Sequence, residues 1–214
     1  MLLALLDATL QAFSLDPAAI GPDNVKWFLE LVPDQALRDG DLTLLAAIVD
    51  RFTSELTVAE AGAAAAIHGA LEALGTPQRL EKLIAVGSAG ADPRAFCAIL
   101  EALDDAGVPT ALAAYQRTAS KEVKDALNAF LAENIAGYAD ALRPLLAPST
   151  STETAKFALF LVSKNLTGDI ADSLYDAARA HSQAAVSEYA AFLARTHTPK
   201  GRLAALIESL ELYL

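Results

Sequence analysis

Apolar residues recur in this chain at helical spacing, in small sets that return at a nearly constant interval. Ile67, Ala70 and Leu71 stand at i, i+3 and i+4, which is one face of a helix. The same triplet returns as Phe96/Ile99/Leu100, Leu127/Phe130/Leu131, Ala158/Leu161/Val162 and Val186/Tyr189/Ala190, at intervals of 28 to 31 residues. A second register, Leu83, Leu112, Leu142, Leu174 and Leu206, returns every 29 to 32 residues. Two registers of one period predict helix pairs stacked unit on unit, because a lone pair cannot bury its apolar face and a neighbouring pair covers it. No stretch alternates β-branched residues with period two, so no sheet is expected.

The punctuation between apolar sets predicts where the helices begin and end. Asp16-Pro17, Thr76-Pro77, Asp92-Pro93 and Thr198-Pro199 each put a capping side chain before a proline at the first helical position. Thr57 with Glu60 and Thr150 with Glu153 have capping-box spacing, and Ser120 caps a further start. Gly40, Gly75 and Gly107 stand where helices should stop. First helices are predicted over 58–74, 92–105, 120–134, 150–167 and 182–196, and second helices over 77–87, 108–118, 136–147, 169–180 and 199–213. Residues 1–56 read as an irregular helical cap with helices over 1–14, 23–32 and 41–54, turns at Gly21-Pro22, Pro33 and Gly40, and core contacts from Trp27, Phe28 and Leu31. Residues 57–214 read as about five helix pairs, continuous with the cap as one solenoid. Both ends are apolar, Met1–Leu6 and Leu212-Tyr213-Leu214, which predicts packing against a partner or a second copy, or membership of a longer chain.

These residues resemble the HEAT-like repeat family. Its pattern of Asp-Pro and a basic residue before the first helix, Glu-Ala-Leu at that helix's end, then Gly and Pro, is met by Asp92-Pro93-Arg94, Glu101-Ala102-Leu103 and Gly107-Val108-Pro109. The preceding unit ends Glu72-Ala73-Leu74-Gly75-Thr76-Pro77, and the following one starts Glu122-Val123-Lys124. The resemblance covers 57–214 and is clearest over 67–131; Thr150-Ser151-Thr152 stands where the pattern has Asp-Pro. It implies an all-α, right-handed α-α superhelix of stacked antiparallel helix pairs, with second helices lining the concave face. It also implies a scaffold or adaptor. Of the enzymes in that family, the di-iron hydroxylases use His-Glu pairs, and no His precedes Glu here. The alkylpurine glycosylases bind DNA in a basic cleft, whereas this chain is acidic. The phycobilin lyases resemble it in repeat pattern alone, which leaves a chromophore lyase as an alternative reading.

Charge narrows the partner. The formal net charge is −11, with 27 acidic against 16 basic residues. A nucleic-acid backbone or an anionic membrane needs positive charge, so neither is expected and a basic protein partner is. No basic start precedes the short apolar opening, and no uncharged run approaches the ~18 residues of a membrane span. The expected location is cytoplasmic. The single cysteine, Cys97, permits no internal disulfide and reads as a small hydrophobe beside the core.

Candidate chemistry is sparse. His68 reads as a packed or rim residue, and His181 and His197 as helix-end residues favoured by the helix dipole. Their spacing fits no metal pattern. Asp169, Asp172 and Asp176 share a helix stripe, which reads as a solvated face because one rigid helix supplies too few oxygens for a cation. No phosphate loop or nucleophile elbow is present, so neither cofactor, metal nor catalytic residue is assigned.

Surface is what remains. Two positions from the core Leu of each second helix, a rotation of ~200°, stand Glu81, Asp140, Asp172, Asp176 and Glu208. On the implied concave face they form an acidic ladder for a basic peptide or protein surface; Lys82, Arg143 and Arg179 nearby equally fit ordinary solubilising charge. Lys156, Phe160 and Lys164, at i, i+4 and i+8, form a second candidate, with Phe160 either an interface aromatic or covered by the next unit. The function expected is a non-catalytic interaction scaffold or adaptor. The alternative is a regulatory or structural segment of a larger assembly.

Overall fold

The computed structural model describes residues 2–15 and 21–197, together with Leu203 and Ile207 in helical conformation. The described residues are all-helical, with no strand among them. The helices are α1 (Leu2–Leu15), α2 (Pro22–Asp39), α3 (Leu42–Leu56), α4 (Ala61–Leu74), α5 (Pro77–Ser88) and α6 (Pro93–Glu101). After a 3-10 turn (Asp104–Ala106) come α7 (Gly107–Arg117) and α8 (Lys121–Asn134). A 3-10 segment (Ile135–Leu146) leads to α9 (Thr152–Asn165), α10 (Gly168–Arg179) and α11 (Ala184–His197). Of the predicted helix over 199–213, Leu203 and Ile207 are described, both helical; its other residues, Leu206 among them, and the caps at Asp16-Pro17 and Thr198-Pro199 lie outside the described residues.

Most of both apolar registers is core, while Leu71 and Tyr189 are half-buried. Ile67, Phe96, Ile99, Leu127, Leu131, Ala158, Leu161, Val162, Val186 and Ala190 are fully buried or nearly so, as are Leu83, Leu112, Leu142 and Leu174. Asp92 caps α6, its carboxylate accepting from the backbone N–H groups of Arg94 and Ala95. Ser120 Oγ accepts from the Val123 N–H at 3.4 Å.

Other local expectations are corrected. α2 runs through Pro33 to Asp39 and ends at Gly40, whose φ of 72° is the left-handed C-cap. Burial of Leu29, Val32, Ala36 and Leu37 on one face outweighs the hydrogen bond that Pro33 removes. Trp27 is 65% exposed and Leu31 lies at 36%, so the expected core contacts of the cap fall instead to Val25 and Leu29. The 136–147 helix is 3-10 in character: Tyr138 leaves helical geometry (φ −123°, ψ 31°) and Pro144 cannot donate to the preceding turn. Thr57 ends α3, donating to the Ser54 carbonyl, and Glu60 starts α4 without a side-chain cap. Ser151, and not Thr150, caps α9 through the Thr154 N–H. Gly107 opens α7 and does not close α6.

The chain divides into two compact units, Met1–Asn128 and Ala129–Leu214, with the division inside α8. In the first, α2 packs on α3, α4 and α5, and α5 packs on α7. α3 additionally packs on α6, reaching past α4 and α5 in sequence. In the second, the 3-10 segment packs on α9 and α10, and α9, α10 and α11 pack on one another.

Candidate functional site

The contact between α3 and α6 borders a cleft of the first unit. α3 buries Leu45, Ile48, Val49 and Phe52, and α6 buries Ala95, Phe96, Ile99 and Leu100. α4 is Ala-rich, burying Ala63, Ala66 and Ala70 beside Ile67 and Leu74. The C-terminal ends of α3 and α4 and the turn after α6 enclose a cleft of about 510 Å³. Its apolar lining is Leu56, Leu71, Leu103, Ala102 and Ala106. Its polar lining is Thr53, His68, Glu72, Glu101, Asp104 and Asp105. A smaller groove of about 230 Å³ shares Thr53, Glu101 and Ala102 and adds Asp50 with Ala46, Val49 and Ala98.

Five carboxylates therefore line the two adjoining cavities, and no Lys or Arg is among the lining residues. Asp104 holds φ at 43°, a left-handed geometry that Asp tolerates better than most residues. The backbone turns sharply there, and the Ala106 N–H bonds the Leu103 carbonyl at 2.9 Å. Cys97 on α6 is partly buried, and burial, with the charge of Glu101 adding, pushes its thiol up to about 11. It is a poor nucleophile at neutral pH.

The expected ladder is divided between the two units and is furnished with its own cations. Glu81 on α5 accepts from Arg117 on α7. In the second unit Asp140 accepts from Arg143 at 2.9 Å, and Arg143 also donates to Ser173 Oγ on α10. Asp176 pairs with Arg179 at 3.2 Å. Asp172 is partly buried on α10, and Glu208 lies outside the described residues. Lys156, Phe160 and Lys164 share α9; Phe160 is 40% exposed, and Lys164 Nζ lies 6.0 Å from its ring centroid.

His68 stands exposed at the cleft rim, while His197 is in the last turn of α11, as expected. His181 also stands at a helix end, directly after Ala180, the C-cap of α10. It is buried, Nδ1 accepts from the Gln183 N–H at 3.1 Å, and Nε2 therefore donates to the Thr150 carbonyl at 3.1 Å. Among the described residues no group of three or more His, Cys, Asp or Glu is arranged to hold a metal ion. No described helix is long and apolar enough to cross a membrane.

The cleft was missed in the sequence although its signal is there. Glu72 and Glu101 are the Glu of the same Glu-Ala-Leu ending in successive units, so a shared register position brings both to one cavity. Glu72 and Glu101 lie in the last turns of α4 and α6, away from the helices that carry the ladder residues. Compared with protein-family models, with curated proteins and with solved structures, the chain matches none.

Proposed function

We propose that this chain is a HEAT-like helical scaffold or adaptor of the cytoplasm that docks a basic partner and carries out no catalysis of its own. One observation carries the reading: a cleft with an apolar floor lined by carboxylates, with no Lys or Arg among the residues that form it. Such a surface attracts and orients a cationic ligand. The ladder is a weaker choice, because Glu81, Asp140 and Asp176 are each paired with an arginine. The right-handed superhelix belongs to the same proposal. Neighbour-on-neighbour packing of the 3-10 segment, α9, α10 and α11 supports it, as does the packing of α5 on α7.

Calorimetric titration of the chain with a lysine/arginine-rich peptide, and with a small folded protein of high pI, tests the reading. At least one should bind, more weakly at ~200 mM than at ~20 mM salt. Glu72→Gln/Glu101→Gln/Asp104→Asn together should abolish that binding, and Asp140→Asn/Asp172→Asn/Asp176→Asn should leave it. No binding of either probe, or binding indifferent to the cleft variant, refutes it.

A second reading, a structural segment of a larger assembly, draws on the apolar side chains left open, Trp27 at 65% and Phe192 at 59% exposure. It expects a salt-resistant partner whose binding is lost in Trp27→Ala or Phe192→Ala.

A further inference from the structure

The shape of the cleft says more about its occupant than its charge does. Ala46, Val49, Asp50, Thr53 and Leu56 line two adjoining cavities, which share Thr53, Glu101 and Ala102, and form one stripe of α3. Ten residues of helix rise about 15 Å, the length of α3 along which the two adjoining cavities lie. Small side chains, Ala98 and Ala102 on the α6 side, keep this space open. Its volume lies within the range of about 300 to 1,000 Å³ typical of clefts that enclose a ligand. The flat face of a folded protein would not fill such a space, whereas an extended chain of four or five residues spans 15 Å at about 3.3 Å each.

The charges are placed along this length. Asp50 marks one end, Glu101 belongs to both cavities, and Glu72 and Asp104 mark the other. In the larger cavity, with Glu72, Glu101 and Asp104, stand Leu56 and Leu71, both half-buried, and the buried Leu103. An apolar anchor with cations beside it matches that set of apolar and acidic lining residues.

We infer that the groove takes a short linear segment in which one large apolar residue is flanked by Lys or Arg. This deepens the function proposed above and rests on it: the partner offers a flexible basic motif and not a folded basic surface. The anchor gives hold and the flanking cations give register.

The experiment uses three labelled nine-residue peptides read by fluorescence anisotropy: a basic peptide with a central Leu, the same peptide with Ser for Leu, and its Glu-for-Lys/Arg counterpart. The small folded basic protein is the fourth probe. The Leu peptide should bind at least ~10-fold tighter than the Ser peptide and tighter than the folded protein, and the acidic peptide should not bind. Thr53→Trp, at an exposed position shared by both cavities, fills the groove and should remove peptide binding with an unchanged helical spectrum. Should Thr53→Trp disturb that spectrum, Ala98→Phe fills the groove from the α6 side and must give the same loss. If the folded protein binds as well as the Leu peptide, or Leu and Ser peptides bind alike, the linear-motif inference is wrong and the adaptor reading stands. If no probe binds, both fall.

Discussion

Arg117, at the end of α7, donates through Nη1 to Oε1 of Glu81 on α5. This ion pair joins two helices that pack on each other and lowers the pKa of Glu81, mainly through the hydrogen bond, with the charge of Arg117 adding and desolvation opposing. An acid whose folded pKa is depressed contributes stability above its unfolded pKa, and the contribution is lost as pH falls through the folded value. NMR titration of the Glu81 carboxyl should therefore give a midpoint below the ordinary 4.5. Arg117→Gln should return it towards that value; a midpoint unmoved by the substitution would show that the pair does not form.

His181 staples two turns of the second unit. It links the turn before α11 to Thr150, and Ser182 Oγ donates to the Pro148 carbonyl at 2.7 Å beside it. His181→Ala empties a buried position and leaves the Gln183 N–H and the Thr150 carbonyl without these part-buried hydrogen bonds. The expected loss is about 1–3 kcal/mol in urea unfolding. A loss under ~0.5 kcal/mol, typical of an ordinary surface position, would mean the staple is not formed.

Gly87 on α5 is where the Phe96 ring rests. A Cβ built at Gly87 would stand 2.6 Å from two atoms of that ring, which is itself wholly buried. Although Ala is the better helix former, Gly87→Ala should destabilise by about 1–3 kcal/mol through overpacking. Gly87→Ala/Phe96→Leu should recover part of what Gly87→Ala loses relative to Phe96→Leu alone. Thermal unfolding of the four chains decides it: additive effects would exclude the contact.

Tyr175 is buried on α10, and its hydroxyl has no hydrogen-bond partner among the described residues. Burial, then the neighbouring Tyr189 and Asp172, push its pKa up to about 12 from 10.0. The folded state thus holds this proton more tightly, so stability is intact below about pH 10 and falls as pH rises from 10 towards 12. Tyr175→Phe should remove that slope and leave stability at pH 7 unchanged or raised by up to ~1 kcal/mol, since an unsatisfied polar group goes with it. A clear loss of stability at pH 7 would mean that the hydroxyl is satisfied after all.

The repeat of apolar triplets already contained the helices, because helical period and burial coincide wherever one face of an element must be covered. Ile67, Phe96, Leu127, Ala158 and Val186, one per unit, are all buried. Caps such as Asp92 were equally legible, being bonds between residues two or three apart in the chain. What depends on distant residues was not. Pro33 lies inside a helix because the burial of α2 outweighs a local signal, and Trp27 faces outward because burial on α2 goes to the Val25 and Leu29 face. The groove exists because α3 packs on α6, a pairing that no local spacing encodes. Sequence alone determined the class of element, its period and the identity of the core, which are set by short-range backbone preferences and by hydrophobicity. Tertiary packing alone decided which carboxylates share one cavity, because that depends on how helix ends distant in the chain come together.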